Sequence, residues 1–173
     1  MLNWVILIFA LGTILHDGDF ETFNNGEISF DYPQEFITIN NSTSSDGTKF
    51  YTKLTYESTV ITINEATPSK RSLTDYYQDI KNIGSFSGSN PNTGYTQKHT
   101  PIFFQKCTID NITGYLTFHK VLTSENGSKN DTYFEFVLLF VKDKKVYVIY
   151  GNGYDQEFLE NTLNKIIETF KTY

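Results

Sequence analysis

The 173-residue chain has one cysteine, Cys107, so no internal disulfide can form and no zinc site built on several thiolates can assemble. Positive charge is scarce. Fourteen Lys and Arg stand against 20 Asp and Glu, a net charge of −6, whereas contact with a nucleic-acid backbone needs clustered cations. The densest basic group, Lys142, Lys144 and Lys145 around Asp143, lies between two apolar runs, where a solvated hairpin turn is expected. No apolar run is long. The longest, Trp4 to Leu11 and on to Leu15, holds about a dozen residues, against about twenty for a membrane-spanning helix. No two histidines have the i, i+4 spacing of helical metal ligands, and no complete phosphate-loop pattern occurs.

What the chain has in quantity is aromatic surface, 15 Phe and 12 Tyr. A single domain of this length can bury its own core without a staple, and here that core must lean on aromatic rings, which favour sheet. The apolar run near the start matches the length of a signal-peptide core. Residues 1–19 therefore read as an export signal or membrane tether, the tether lying within residues 1–15, and residues 20–173 as one domain. Neither Lys nor Arg precedes the run, which is atypical of such signals. Five Asn-x-Ser/Thr sequons add little, since about three are expected by chance in so Asn-rich and Ser/Thr-rich a chain.

Periodicity organises the rest. After a polar entry from His16 to Gly26, Ile28, Phe30 and Tyr32 alternate with polar residues as a half-buried strand, and Pro33 ends it because proline offers no N–H to a ladder. The segment Asn40 to Thr48 reads as an exposed loop, followed by a hairpin of two strands joined around Glu57 to Thr59. Leu73, Tyr76, Tyr77, Ile80 and Ile83 then fall at helical spacing behind Ser72. The stretch Ser85 to Gln97 reads as a loop without regular structure. Strands follow from Ile102, Thr113, Asp131 and Lys145, with Asp110 and Asn111 as a type I′ turn between the first two. The run Phe136 to Val141 is apolar on both faces, which places it mid-sheet. A final amphipathic helix begins behind Asp155 and carries Leu159, Leu163, Ile166, Ile167 and Phe170.

Taken in order, "FNNGEISFDYPQEF", "SLTDYYQDIKN", "TIDNITGYLTF" and "YFEFVLLFVKDKKVYVIYG" running into "IIETF" resemble the PsbP-like family, which shares its fold with the Ran-binding Mog-type proteins. The resemblance covers nearly everything from Phe23 to Phe170 and implies an α+β fold, an α/β/α sandwich around a mainly antiparallel sheet. It also explains the tyrosine-proline turn, with Phe36 where relatives commonly carry Trp. Family members known from photosynthesis are extrinsic subunits of photosystem II, and many others look like secreted proteins or lipoproteins. This chain has no lipid-bearing cysteine near its N-terminus, so architecture and an extracytoplasmic address carry over and a photosynthetic role does not.

The chemistry-bearing residues read as structural. Cys107 sits in a strand pattern as a buried thiol, and the Asp110–Asn111 turn pairs it near Gly114, about 17 Å along the strand from His119. His119 reads as a sheet histidine, His99 as a loop-exit residue, Asp31 and Glu35 as the solvated flanks of a turn, and "GNGYD" as a strand-to-helix turn. No residue is assigned to catalysis, to a cofactor or to a metal. The expectation is a non-catalytic, extracytoplasmic binding or accessory module with a protein partner at the cell envelope and no nucleic acid. The alternatives are a small-ligand or metal-binding protein, or a hydrolase whose site converges from separate strands.

Overall fold

The computed structural model describes residues 20–43, 49–66, 87–90, 95–125 and 131–173, with Asp75, Gln78 and Asn82. In chain order the strands are β1 (Phe20–Asn24), β2 (Ile28–Pro33), β3 (Ile37–Thr43), β4 (Lys49–Tyr56), β5 (Thr59–Ala66), β6 (Ser87–Asn90), β7 (Tyr95–Ile109), β8 (Ile112–Glu125), β9 (Asp131–Lys142), β10 (Lys145–Gly153) and β11 (Lys171–Thr172). Helix α1 (Gln156–Thr169) lies between the last two. Eight strands form one antiparallel sheet in the order β3-β4-β5-β10-β9-β8-β7-β6, and β1-β2-β11 form a second, smaller antiparallel sheet.

Alternation along β9 divides the large sheet into two faces. Phe136, Leu138 and Phe140 join the main core, while Val137 and Leu139 belong to a separate small cluster with Val146. The strand is central and buried on both sides, as its unbroken apolar run requires. On the main-core face the rings stack in series: Phe103 on Phe118 at 5.3 Å between centroids, Phe118 on Phe136 at 6.5 Å, and Phe140 on Tyr147 at 5.0 Å. The buried stripe Leu159, Leu163 and Ile166 of α1 and the small sheet's Ile28 and Phe30 close this core.

Local chemistry sets the corners. Asp110 and Asn111 both have positive φ, as do Asp143 and Lys144, so both hairpins turn on two left-handed residues, the geometry that matches strand twist. Asp155 caps α1 by accepting from Phe158 N at 3.0 Å. Gly151 makes room for a ring: a Cβ there would lie 2.3 Å from Cε1 of Phe136, which would have to shift.

Three expectations need correction. The polar entry contains β1, whose Phe23 is its one buried residue. The segment read as a loop from Asn40 holds strand as far as Thr43, and residues 44–48 lie outside the described residues. The stretch from Ser85 to Gln97 contains β6 and the start of β7, paired Ser87 to Lys98 and Asn90 to Tyr95. All three lie on edge strands or their neighbours, where hydrogen bonding makes a strand without an apolar alternation to announce it. Of the helix expected from Ser72, Asp75, Gln78 and Asn82 are helical, and the rest lies outside the described residues, as does the segment 1–19.

Candidate functional site

The second face of the large sheet, opposite the aromatic core, carries the polar chemistry. His119 on β8 pairs directly with Glu135 on β9, and their side chains share a face. His99 on β7 pairs with Val121, two residues along β8 from His119, which sets it diagonally beside the pair. A β-bulge between Pro101 and Phe103 makes this possible. The extra residue shifts the phase of β7, so Phe103 packs on Phe118 in the aromatic core while His99 points to the other side.

One ligand atom from each of His99, His119 and Glu135 lies within 4.8 Å of the other two. The two imidazole rings meet edge to face at 5.9 Å, and His99 Nδ1 is 3.5 Å from Glu135 Oε2. His119 is fully buried and Glu135 nearly so, at 7 % exposure. Around them stands a ring of hydroxyls. Thr117 Oγ1 is hydrogen-bonded to His119 Nε2 at 2.7 Å, and Tyr150 O–H donates to Glu135 Oε1 at 2.9 Å. Asn152 Nδ2 in turn donates to the Tyr150 oxygen at 3.0 Å.

Burial, and then the neighbouring His99, push the His119 pKa down to about 4, so its ring is neutral at physiological pH. Desolvation first, and then Glu135, raise Tyr150 to about 12, which keeps its hydroxyl a donor. At the end of β9 and β10 a shallow depression of about 190 Å³ is lined by Ser58, Tyr133, Asn152, Gly153 and Tyr154. Asn152 is common to the depression and to the polar chain leading to Glu135.

The other sequence candidates separate. Cys107 pairs with Gly114 in the register expected from the turn, and burial holds its thiol up at about 11. Asp31 accepts from Thr22 Oγ1 at 2.7 Å across the β1–β2 ladder, and Glu35 is exposed beyond the turn. In "GNGYD" both glycines close strand contacts, Gly153 against Thr59, and the helix end is occupied by the Asp155 cap. His99, read as a loop-exit residue, lies inside β7 with its side chain 8 % exposed.

No protein-family model and no curated protein matches the sequence. Solved structures do. The cyanobacterial PsbP protein CyanoP of Synechocystis sp. PCC 6803 superposes with a TM-score of 0.56 at 14 % identity, covering 95 % of this chain and 99 % of that one. The Ran-binding protein Mog1p of Saccharomyces cerevisiae gives a TM-score of 0.51 at 12 % identity over 88 % of this chain and 95 % of that one. This chain has the PsbP/Mog-like fold. LpqN of Mycobacterium tuberculosis, described as involved in cell envelope biogenesis, is similar at a TM-score of 0.49 and 15 % identity over 89 % of this chain and 91 % of that one. The fold is α+β, with a mainly antiparallel sheet, as the sequence resemblance implied.

The geometric cluster on the PsbP/Mog-like sheet is what sequence reasoning missed. His99, His119 and Glu135 are 20 and 16 residues apart, and only the paired registers of three strands bring them together.

Proposed function

We propose that this protein is a non-catalytic binding module that works outside the cytoplasm, accessory to a protein partner at the cell envelope. The observation that carries the reading is how the described residues use their reactive groups. The one thiol is half-buried in β7, is held protonated by desolvation and pairs with Gly114, away from His119. The depression at the sheet end is smaller than the roughly 300–1,000 Å³ of a small-molecule site. A PsbP/Mog-like protein whose name records binding to another protein, the Ran-binding Mog1p, supports a protein partner. The signal-like segment 1–19 supports the address.

The test is affinity capture of the tagged full-length protein from cross-linked native envelope, read by mass spectrometry beside cell fractionation. One dominant envelope protein, captured equally by the Cys107→Ala variant, is the expected result. Recovery of the protein alone in the cytoplasmic fraction would overturn the reading.

A further inference from the structure

We infer that His99, His119 and Glu135 form a binding site for a first-row divalent transition ion of the Zn2+ type. Two imidazoles and one carboxylate are a donor set that such ions take, with a fourth position left for water. The three donors come from three adjacent strands of the large sheet and already stand within 4.8 Å of one another. Tetrahedral bonds of about 2.0–2.1 Å put donors about 3.4 Å apart, so side-chain adjustments of about 1 Å close the site.

Two further observations point to a ligand. His119 is fully buried, its Nε2 is engaged by Thr117, and its Nδ1 has no hydrogen-bond partner among the described residues. Burying a polar atom unpaired is unfavourable, and a metal ion would use that lone pair. With the ion on Nδ1, Nε2–H donates to Thr117 Oγ1, which fixes the tautomer and the ring plane in the way that partners of ligating histidines do. Glu135 is likewise divided: Oε1 accepts from Tyr150, while Oε2 is the oxygen that faces His99. It is a buried carboxylate, and the basic group it faces at 3.5 Å is an imidazole, His99. A divalent cation supplies the charge that such a carboxylate needs.

Asn152 links this site to the depression bounded by Ser58 and Tyr154, which provides an entry side. Thr117 and Tyr150 are positioning residues. The inference is independent of the envelope partner proposed above.

The test uses the full chain, purified without a polyhistidine tag and stripped with a chelator, then titrated with Zn2+ by calorimetry and with Co2+ by visible absorption. One equivalent is expected to bind, with the intense bands of four-coordinate Co2+ bound through nitrogen and oxygen. His99→Gln and Glu135→Gln should each weaken binding at least about tenfold, and Thr117→Val, which keeps shape and removes the partner of Nε2, by about 10- to 100-fold. Asp31→Asn should bind as the native protein does. Nitrogen-15 spectra of the native protein's imidazoles provide a readout independent of variant folding: Zn2+ should shift His119 Nδ1 and one nitrogen of His99, leaving His16 in place. Absence of saturable binding, unaltered affinity in both Gln variants, or histidine spectra that Zn2+ does not move would overturn the assignment.

Discussion

Phe118 and His119 are neighbours on one strand, both fully buried, and they look into different worlds. Phe118 stacks on Phe103 and Phe136 within the main core, which α1 and the small sheet close. His119 enters a face where Thr117 is hydrogen-bonded to His119, Tyr150 donates to Glu135 and His99 stands 3.5 Å from that carboxylate, beside the small cluster around Val137, Leu139 and Val146. The first face gains stability simply by excluding water from apolar surface. The second buries polar groups that each need a partner, and His119 Nδ1 has no hydrogen-bond partner among the described residues, an arrangement that packing alone would not retain. The contrast teaches where to look for function in a sheet that buries apolar rings on one face and polar groups on the other.

Breaking the aromatic face should have the largest effect. Phe118→Ala removes a ring stacked on Phe103 and Phe136 and leaves a cavity in the centre of the sheet, so a loss of about 3–5 kcal/mol in chemical denaturation is expected. Gly151→Ala attacks the same face by overpacking. The new Cβ would lie 2.3 Å from the Phe136 ring, which must move against its own neighbours, and a loss of about 1–3 kcal/mol follows. A Gly151→Ala protein with native stability would show that the rings slide freely and that the aromatic series is not rigid.

A smaller effect is expected where the two faces are tied at the edge. Asp110, at the β7–β8 turn, accepts from Lys142 Nζ, from Thr172 N at 3.0 Å and from Thr172 Oγ1 at 2.8 Å, clasping the last strand to two hairpins. Burial alone would raise its pKa, but the Lys142 and Thr172 hydrogen bonds outweigh burial and hold it below 3.8. As pH falls below about 4 the unfolded chain takes up its proton first, so the stability from the ionised carboxylate is complete above that pH and drains as pH falls through the folded value. Asp110→Asn keeps the side-chain shape and the tolerance of positive φ while removing the charge. It should cost about 1–2 kcal/mol at neutral pH, and the gap to the native protein should shrink below pH 4. A gap that stays constant from pH 7 to pH 3 would mean that the charge contributes nothing.

The aromatic face was legible in the sequence and the polar face was not, for one physical reason. Alternation reports burial, so Ile28, Phe30 and Tyr32, the apolar run of β9 and the stripe of α1 declared themselves, and turn chemistry at Asp110 and Asn111 gave the Cys107–Gly114 register correctly. Extending that register to the far end of the hairpin would pair His99 with Leu122, putting it on the aromatic side. The bulge at Pro101 and Phe103 moves the partner by one residue, to Val121, and a one-residue slip changes the face of every side chain beyond it. Pro101 inside β7 is the one signal for that bulge, since a proline within a sheet is confined to edges, strand starts and bulges. The short polar strands β1 and β6 were missed for the complementary reason, since ladder hydrogen bonds have no side-chain signature.

The sharpest test of the contrast is His119→Leu set beside Phe118→Ala. If the polar face is kept for binding, exchanging a buried imidazole with an unpaired nitrogen for an apolar side chain should change the stability of chelator-treated protein by no more than about 1 kcal/mol. The adjacent Phe118 substitution should cost several times that. Adding Zn2+ should then separate native from variant. A ligand at a hundred times its dissociation constant stabilises the form that binds it by about 2.7 kcal/mol, so the native protein should melt higher with Zn2+ while His119→Leu should not respond. A His119→Leu protein as damaged as Phe118→Ala would make the second face a packing surface like the first. A variant of native stability that has lost its response to Zn2+ would show that one strand supplies stability from one side and ligand chemistry from the other.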